Sequence, residues 1–304
     1  MKTKTRFAWK QFLKNLAIIA IPVALQNMLT TTGSMIDTMM IAPLGETTVG
    51  AVGLCAQFSS LMFAGYWGFF GGGMLFFSQY WGAQDDDGID HSYGLTLTCM
   101  MIVGLTFGAF AIFAPETVMK LYTDKENIQV IGAEYLRIIG FGYPVQVFSM
   151  AMSALLRSTE RVRIPLFASI ASVASNIFLN WVFIYGKFGL PEMGVRGAAL
   201  ATSLAAVINV LVILILARAQ KYPYLFHFKK HFRWNKKQVK STSSSASPSS
   251  ATKCSSAWAT WLSTLFSGRQ FRNRPLRPAA VFRTLEGMVI SFFAGFSNAA
   301  SVLV

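Results

Sequence analysis

The order of apolar and polar positions along this chain predicts a bundle of membrane helices. About 20 apolar residues are needed to cross the hydrocarbon core as a helix. Six stretches reach that length: 16–41, 49–80, 93–113, 135–156, 164–185 and 194–217. The second is longer than a bilayer needs and must tilt, bend or extend into water. Pro22 in the first stretch and Pro144 in the fourth are expected to kink their helices, because proline removes a backbone donor and crowds the preceding turn. The basic N-terminus resembles the start of a signal peptide. Its apolar run is too long for that and further spans follow, so it reads as a retained first helix.

Composition strengthens this picture. Of 304 residues, 53% are hydrophobic and 13% charged, against about 25% charged in a soluble protein. The expected class is an all-α polytopic membrane protein with the lipid bilayer as its partner. The net charge of +14 does not point to nucleic acid, because Lys and Arg gather at the ends of the apolar stretches as topology signals do. Lys2, Lys4, Arg6, Lys10 and Lys14 precede the first span. Arg157, Arg161 and Arg163 follow the fourth, and a run from Arg218 to Lys240 follows the sixth. The opposite side carries Lys120, Lys125, Lys187 and Arg196, with Arg137 near a boundary. This bias predicts a cytoplasmic N-terminus in a cell membrane. The basic stretch 218–240 is then a cytoplasmic connector near anionic headgroups. Cys55, Cys99 and Cys254 have neither disulfide nor zinc spacing.

Asp37 stands out against this background. A carboxylate at bilayer depth costs about 2.5–3.5 kcal/mol on insertion scales and usually faces a polar cavity where it carries a proton or ion. The competing reading is a structural carboxylate bonded to a neighbouring helix. Gln26, Thr30, Gly33 and Asp37 are spaced to share one helical face. Asn176 and Asn180 share a face of the fifth span, and Thr202 lies inside the sixth. Each of these has a plain interhelical hydrogen bond as its alternative role, worth about 0.6 kcal/mol on average in membranes. Gln26, Thr30 and Gln57 are the candidates for lining a polar cavity.

Other features point to no further chemistry. Gly71-Gly-Gly is a close-packing or bending point, because no Walker Lys-Ser/Thr follows it. A primary ATP pump is therefore disfavoured. His91, His227 and His231 fall in predicted loops and read as solvated. The spans contain no nucleophile–base pair or metal motif, so the chain is not expected to be an enzyme. Met62, Phe63, Trp67, Phe69 and Phe70 read as packing or lipid-facing residues ahead of a substrate pocket.

Beyond Lys240 the character changes. Residues 241–256 are Ser-rich and 269–278 basic with prolines; an apolar pattern resumes at 281–304. A disordered linker is one reading. The other, which we favour, is translation out of frame over 241–278. Ser247-Pro-Ser-Ser-Ala-Thr-Lys-Cys-Ser can be encoded so that a one-base shift yields F-P-V-I-C-N-E-M-L, an apolar helix start.

Several stretches resemble the multidrug and toxic compound extrusion (MATE) family. They are Ile21-Pro-Val-Ala-Leu-Gln-Asn with Met35-Ile-Asp-Thr-Met-Met-Ile, Ser78-Gln-Tyr-Trp-Gly-Ala-Gln-Asp, Leu155-Leu-Arg-Ser-Thr-Glu, Asn176-Ile-Phe-Leu-Asn-Trp and Met193-Gly-Val-Arg-Gly-Ala-Ala-Leu-Ala-Thr. Their order and spacing match, over about 10–240 and again over 281–304. The resemblance implies a twelve-helix transporter built of two six-helix lobes. The expected domains are a cytoplasmic N-terminus (1–15), a six-helix N-lobe (16–217), the connector (218–240), the out-of-frame segment (241–278) and a truncated helix 8 (279–304).

The function it implies is antiport of organic cations, drugs or toxins, coupled to H⁺ or Na⁺, with no other cofactor. By the same resemblance, Asp37, Asn176, Asn180 and Thr202 fall on the family's N-lobe proton or Na⁺ site. Asn180 stands where many members have Asp, which removes one negative charge and makes proton coupling at least as favoured as Na⁺. A chain without helices 9–12 is expected to be inactive alone. The alternatives are a non-functional transporter fragment or pseudogene product, and a lipid-linked saccharide flippase of the same superfamily. The flippase would need a more cationic cavity than these spans provide.

Overall fold

A computed structural model describes residues 9–227, and the described part is helical throughout, with no strand among the described residues. The elements are α1 (Trp9–Ile41), α2 (Glu46–Gly82), α3 (Asp86–Phe113), α4 (Pro115–Tyr122), α5 (Glu126–Ser158), α6 (Arg163–Ile184) and α7 (Val195–Ala219). The segments 241–278 and 279–304, with most of the basic connector and His231, lie outside the described residues. Among the described residues, α2, α3, α5, α6 and α7 are long and apolar enough to cross a membrane. α1 also has 33 residues but carries a run of polar residues, Gln26, Asn27, Thr30, Thr31, Thr32, Ser34 and Asp37.

The helices extend past the predicted spans. α2 runs for 37 residues, about 55 Å at 1.5 Å per residue, so it reaches beyond the hydrocarbon core. α4 was not expected from the hydropathy pattern. Its eight residues begin on Pro115 at the first turn, where the missing N–H of proline has no helical partner to lose. α3 begins where the carboxylate of Asp85 accepts from the backbone N–H of Gly88 at 2.9 Å, an N-cap placed by the acidic turn.

α5 is the central helix. It packs against α2, α3, α4 and α7, while α1 leans mainly on α6 and α6 on α7. The core around α5 includes Tyr143, Val147, Met152, Leu155 and Leu156, with Phe77, Tyr93, Met100 and Ile213 from its neighbours. From the second span, Met62 and Phe70 are buried in this core, whereas Phe63 and Phe69 are partly exposed. Trp67 lies between Phe63 and Phe70, with ring centroids 4.6 and 5.1 Å away.

Small residues allow the close approaches, as packing without a hydrophobic driving force requires. Within the Gly71–Gly73 run the packing role falls on Gly73, where a Cβ would collide with Thr96; a Cβ on Gly71 would meet open space. At the turn between α6 and α7, the Met193 N–H donates to the Phe183 carbonyl at 3.0 Å. A Cβ on Gly197 would lie 2.7 Å from that same carbonyl. Both pin the start of α7 to the end of α6.

Gly197→Ala is therefore expected to destabilise the bundle by about 1–3 kcal/mol, the range for forced overpacking. Gly53→Ala, where a Cβ meets nothing within 4 Å, should leave it unchanged. Thermal unfolding in detergent by circular dichroism checks the pair.

Candidate functional site

Two helices that share a seam build the candidate site. On α1, Gln26, Gly33 and Asp37 meet Ser169, Val173 and Asn180 of α6 in that order. Sequence number rises along both helices together, so α1 and α6 run parallel. Gly33 leaves room for Val173, whose methyls would sit 3.2 Å from an added Cβ.

At the far end of this seam, the Asp37 carboxylate meets the polar side chains of α6 and α7. The Asn180 Nδ2 donates to Asp37 Oδ1, and the Thr202 hydroxyl of α7 faces Oδ2 at 3.5 Å. Asn180 Nδ2 also donates to Asn176 Oδ1 at 3.3 Å. The Asn176 amide donates to Thr202 Oγ1 at 3.4 Å. Thr202 is itself anchored by donation to the Ala198 carbonyl at 3.0 Å, the back-bond a helical Thr commonly makes. Asn180 is completely buried, and its Oδ1 has no hydrogen-bond partner. The structure thus brings together Asp37, Asn176, Asn180 and Thr202.

The cavity candidates go elsewhere. Gln26 is buried and belongs to a separate group nearer the middle of α1, donating to Ser169 Oγ and accepting from Arg157 Nη2, both at 2.8 Å. Thr30 is exposed and donates to the carbonyl of Gln26 in its own helix at 2.9 Å. Gln57 is half-buried on α2, and none of the hydrogen bonds joining the Asp37 group reaches it.

Sequence reasoning missed three participants. Tyr135, buried at the N-terminal part of α5, faces both Thr202 and Asp37. A tyrosine opening an apolar span brings a polar tip into the core, and that was its available signal. Tyr185 donates to the backbone carbonyl of Met40 at 3.0 Å, tying the end of α1 to that of α6. Arg157 looked like a topology charge beside Arg161 and Arg163, yet it is only 5% exposed. His227, expected to be solvated, instead places Nδ1 2.8 Å from Asp90 Oδ2, and His91 lies within α3.

The atoms this group could offer a cation are oxygens: those of one carboxylate, two side-chain amides and a hydroxyl. Hard cations prefer such ligands, and one of them, the Oδ1 of Asn180, has no hydrogen-bond partner. The same set also suits a proton held on Asp37 and hydrogen-bonded to its neighbours. Among the described residues no group of three or more His, Cys, Asp or Glu is placed to bind a metal. Among the described residues joined by these hydrogen bonds, Asp37 carries the one formal negative charge.

Comparison with known proteins places this geometry in context. The MatE family model matches residues 22–182. The probable multidrug resistance protein YoeA of Bacillus subtilis is 27% identical over 214 residues, covering 70% of this chain and 46% of that protein. The probable multidrug resistance protein NorM of Neisseria meningitidis serogroup A is 26% identical over 201 residues, covering 65% and 44%. The chain thus spans less than half the length of these curated relatives. A crystal structure of MATE in complex with MaD3S superposes with a TM-score of 0.77 at 23% identity, covering 95% of this chain and 64% of that one. A transporter of the MOP superfamily from Pyrococcus furiosus gives 0.75 at 22% identity, covering 95% and 63%. At these identities the structural likeness establishes the fold.

Asn180→Ala is expected to lower bundle stability by about 1–3 kcal/mol, because it strips a donor from a carboxylate held inside the lobe. Asn176→Ala should cost less, since Asn176 does not bond Asp37 directly. Melting temperatures of the two variants in the same detergent decide the order.

Proposed function

Because the chain belongs to the MatE family, we propose that it supplies the ion-coupling N-lobe of an antiporter that exports organic cations, drugs or other amphipathic toxins. The observation that carries this reading is the Asp37 group, a carboxylate within a membrane bundle whose neighbours are amide and hydroxyl groups. Such a carboxylate cannot stay charged and bare at low dielectric. It takes up a proton or a Na⁺ ion, and substrate loading drives that ion off. The two lobes then rock around a midplane cavity, as in transporters built from repeats. The N-terminus faces the cytoplasm of a cell membrane, following the Lys and Arg bias. Residues 9–227 make one lobe, so transport requires a second.

Asn180 sets the ion preference. With a single carboxylate, binding Na⁺ leaves the site neutral, and so does binding a proton. A proton on Asp37 would need an acceptor, and the Asn180 Oδ1 within the group, which has no hydrogen-bond partner, offers one. Asn180→Asp would add a second negative charge beside Asp37 and favour a bound cation. At about 5 Å and an effective dielectric of about 20, this charge is worth about 3 kcal/mol. Calorimetric Na⁺ titration of the purified chain is expected to show affinity rising more than tenfold in Asn180→Asp.

The decisive test is Asp37→Asn in the chain joined to the C-lobe of a relative. Ethidium efflux from cells should be abolished while membrane insertion is unchanged. Normal efflux by that variant would remove Asp37 from the mechanism.

A further inference from the structure

Residues 220–227 follow α7 and are fastened back onto the lobe they leave. α7 ends in a Schellman turn. The Tyr222 N–H donates to the Ala217 carbonyl at 2.9 Å, and the Lys221 N–H to the Arg218 carbonyl at 3.0 Å. Lys221 takes the left-handed conformation there, with a φ of 52°, at the position where glycine is usual. The turn sends the chain across the end of the bundle where α2 and α5 stop and α3 starts. Tyr222 and Leu225 are buried in the core. The Tyr222 hydroxyl meets Thr159 Oγ1 at 2.7 Å. Trp81, at the end of α2, packs edge-on against Tyr224 with ring centroids 6.3 Å apart.

The end of this strap meets the acidic start of α3. The Tyr224 hydroxyl donates to Asp86 Oδ1, and His227 Nδ1 lies 2.8 Å from Asp90 Oδ2. The Asp90 side chain is 1% exposed and that of His227 38%, so the contact joins a carboxylate inside the lobe to a ring at its surface. A buried carboxylate is costly unless it is paired. Other charged or titratable groups near the contact are Asp85, Asp87 and His91 in the first turns of α3, and Arg161 between α5 and α6. Arg161 donates to Gln220 Oε1 at 3.5 Å and keeps its charge at all ordinary pH values. Burial, and then the hydrogen bond to Asp86, push the Tyr224 phenol up to about 12, so it remains a donor at neutral pH. Imidazole is the side chain that ordinarily changes charge between about pH 5 and 8, and His227 is the one imidazole within 220–227.

We propose that residues 220–227 are a proton-sensitive strap, in which protonated His227 clamps the root of the basic connector onto Asp90 at the start of α3. The imidazolium holds Asp90 by an ion pair and a charge-assisted hydrogen bond, whereas the neutral ring keeps a hydrogen bond alone. The strap is therefore tightest in acid and loosens as the pH rises through the imidazole range. Buried Tyr222 and Leu225 hold it down in both forms, so the proton changes how often its end opens and leaves the bundle folded. Both sides of the contact belong to one lobe, and the strap does not oppose rocking of one lobe against the other. If the connector joins two lobes, the clamp sets where its free length begins, and acid on that face shortens it. This consequence rests on the antiport reading; the strap itself does not.

Hydrogen–deuterium exchange of the full chain in nanodiscs of zwitterionic lipid tests the strap. Mass spectrometry reads the peptides spanning 220–227, corrected at each pH for the intrinsic exchange rate. Protection of these amides should be about fivefold greater at about pH 5.5 than at about pH 8, the difference between a charge-assisted and a neutral hydrogen bond. His227→Gln keeps a hydrogen-bonding side chain without the titration and should abolish that difference. His91→Gln should retain it, which separates the two neighbouring imidazoles. Asp90→Asn should abolish it too; if that buried substitution disturbs the fold, the partly exposed His227→Gln still decides. Equal protection at both pH values in the native chain, or an undiminished difference in His227→Gln, would overturn the strap. Exchange is read without transport, so the efflux result for Asp37→Asn stands or falls separately.

Discussion

Polar groups in a bilayer must find their partners inside the protein, and that constraint explains how α1 is held. This helix packs mainly against α6, with far less contact to α2, α5 and α7. Side-chain hydrogen bonds fasten it at successive levels: Gln26 to Ser169 and Arg157, Asp37 to Asn180 and Thr202, and the Met40 carbonyl to Tyr185. Between the first two lies the tight Gly33–Val173 contact. The polar stripe along α1 is what attaches it. Position of the helix and chemistry of the candidate site are therefore set by one group of residues.

The central helix follows the opposite logic. α5 is the most extensively buried of the spanning helices, packed against core residues that α2, α3 and α7 supply. Near its two ends, Tyr135 faces the Asp37 group and Arg157 faces Gln26. A well-packed helix thus presents one polar side chain to each of the two polar groups on a loosely packed one. Displacement of α1 along the seam must disturb both groups, which couples the carboxylate to the arginine without direct contact between them.

Much of this was legible in the sequence. Apolar run lengths located every long helix, because membrane spans are defined by hydropathy itself. The four residues of the Asp37 group could be nominated because polar residues are conspicuous inside apolar spans and helical spacing places them on faces. The pairing of α1 with α6 was not legible, since nothing local in either helix states which neighbour it meets. Arg157 was hidden for a related reason. An arginine followed by Arg161 and Arg163 has the local pattern of a solvated loop, and only the inward turn at the end of α5 separates it from them. α4 was missed because its eight residues fall below the length at which hydropathy carries a signal, and Gly73 because sequence cannot tell which glycine of a run faces a neighbour.

Charge balance along the seam links these observations to mechanism. On the proposed reading, an empty, ionised Asp37 would leave a negative charge at one level and Arg157 a positive one at the other, about 16 Å apart. At an effective dielectric of about 20 their attraction is only about 1 kcal/mol, too little to stabilise either charge in the bundle. Asp37 is therefore driven to acquire a proton or a cation of its own, whereas Arg157 cannot shed its charge. One group cycles and the other stays fixed. An Asp at position 180 would deepen the well for a cation and slow its release. Asn180 keeps the well shallow, which suits a site that must fill and empty once in each transport cycle.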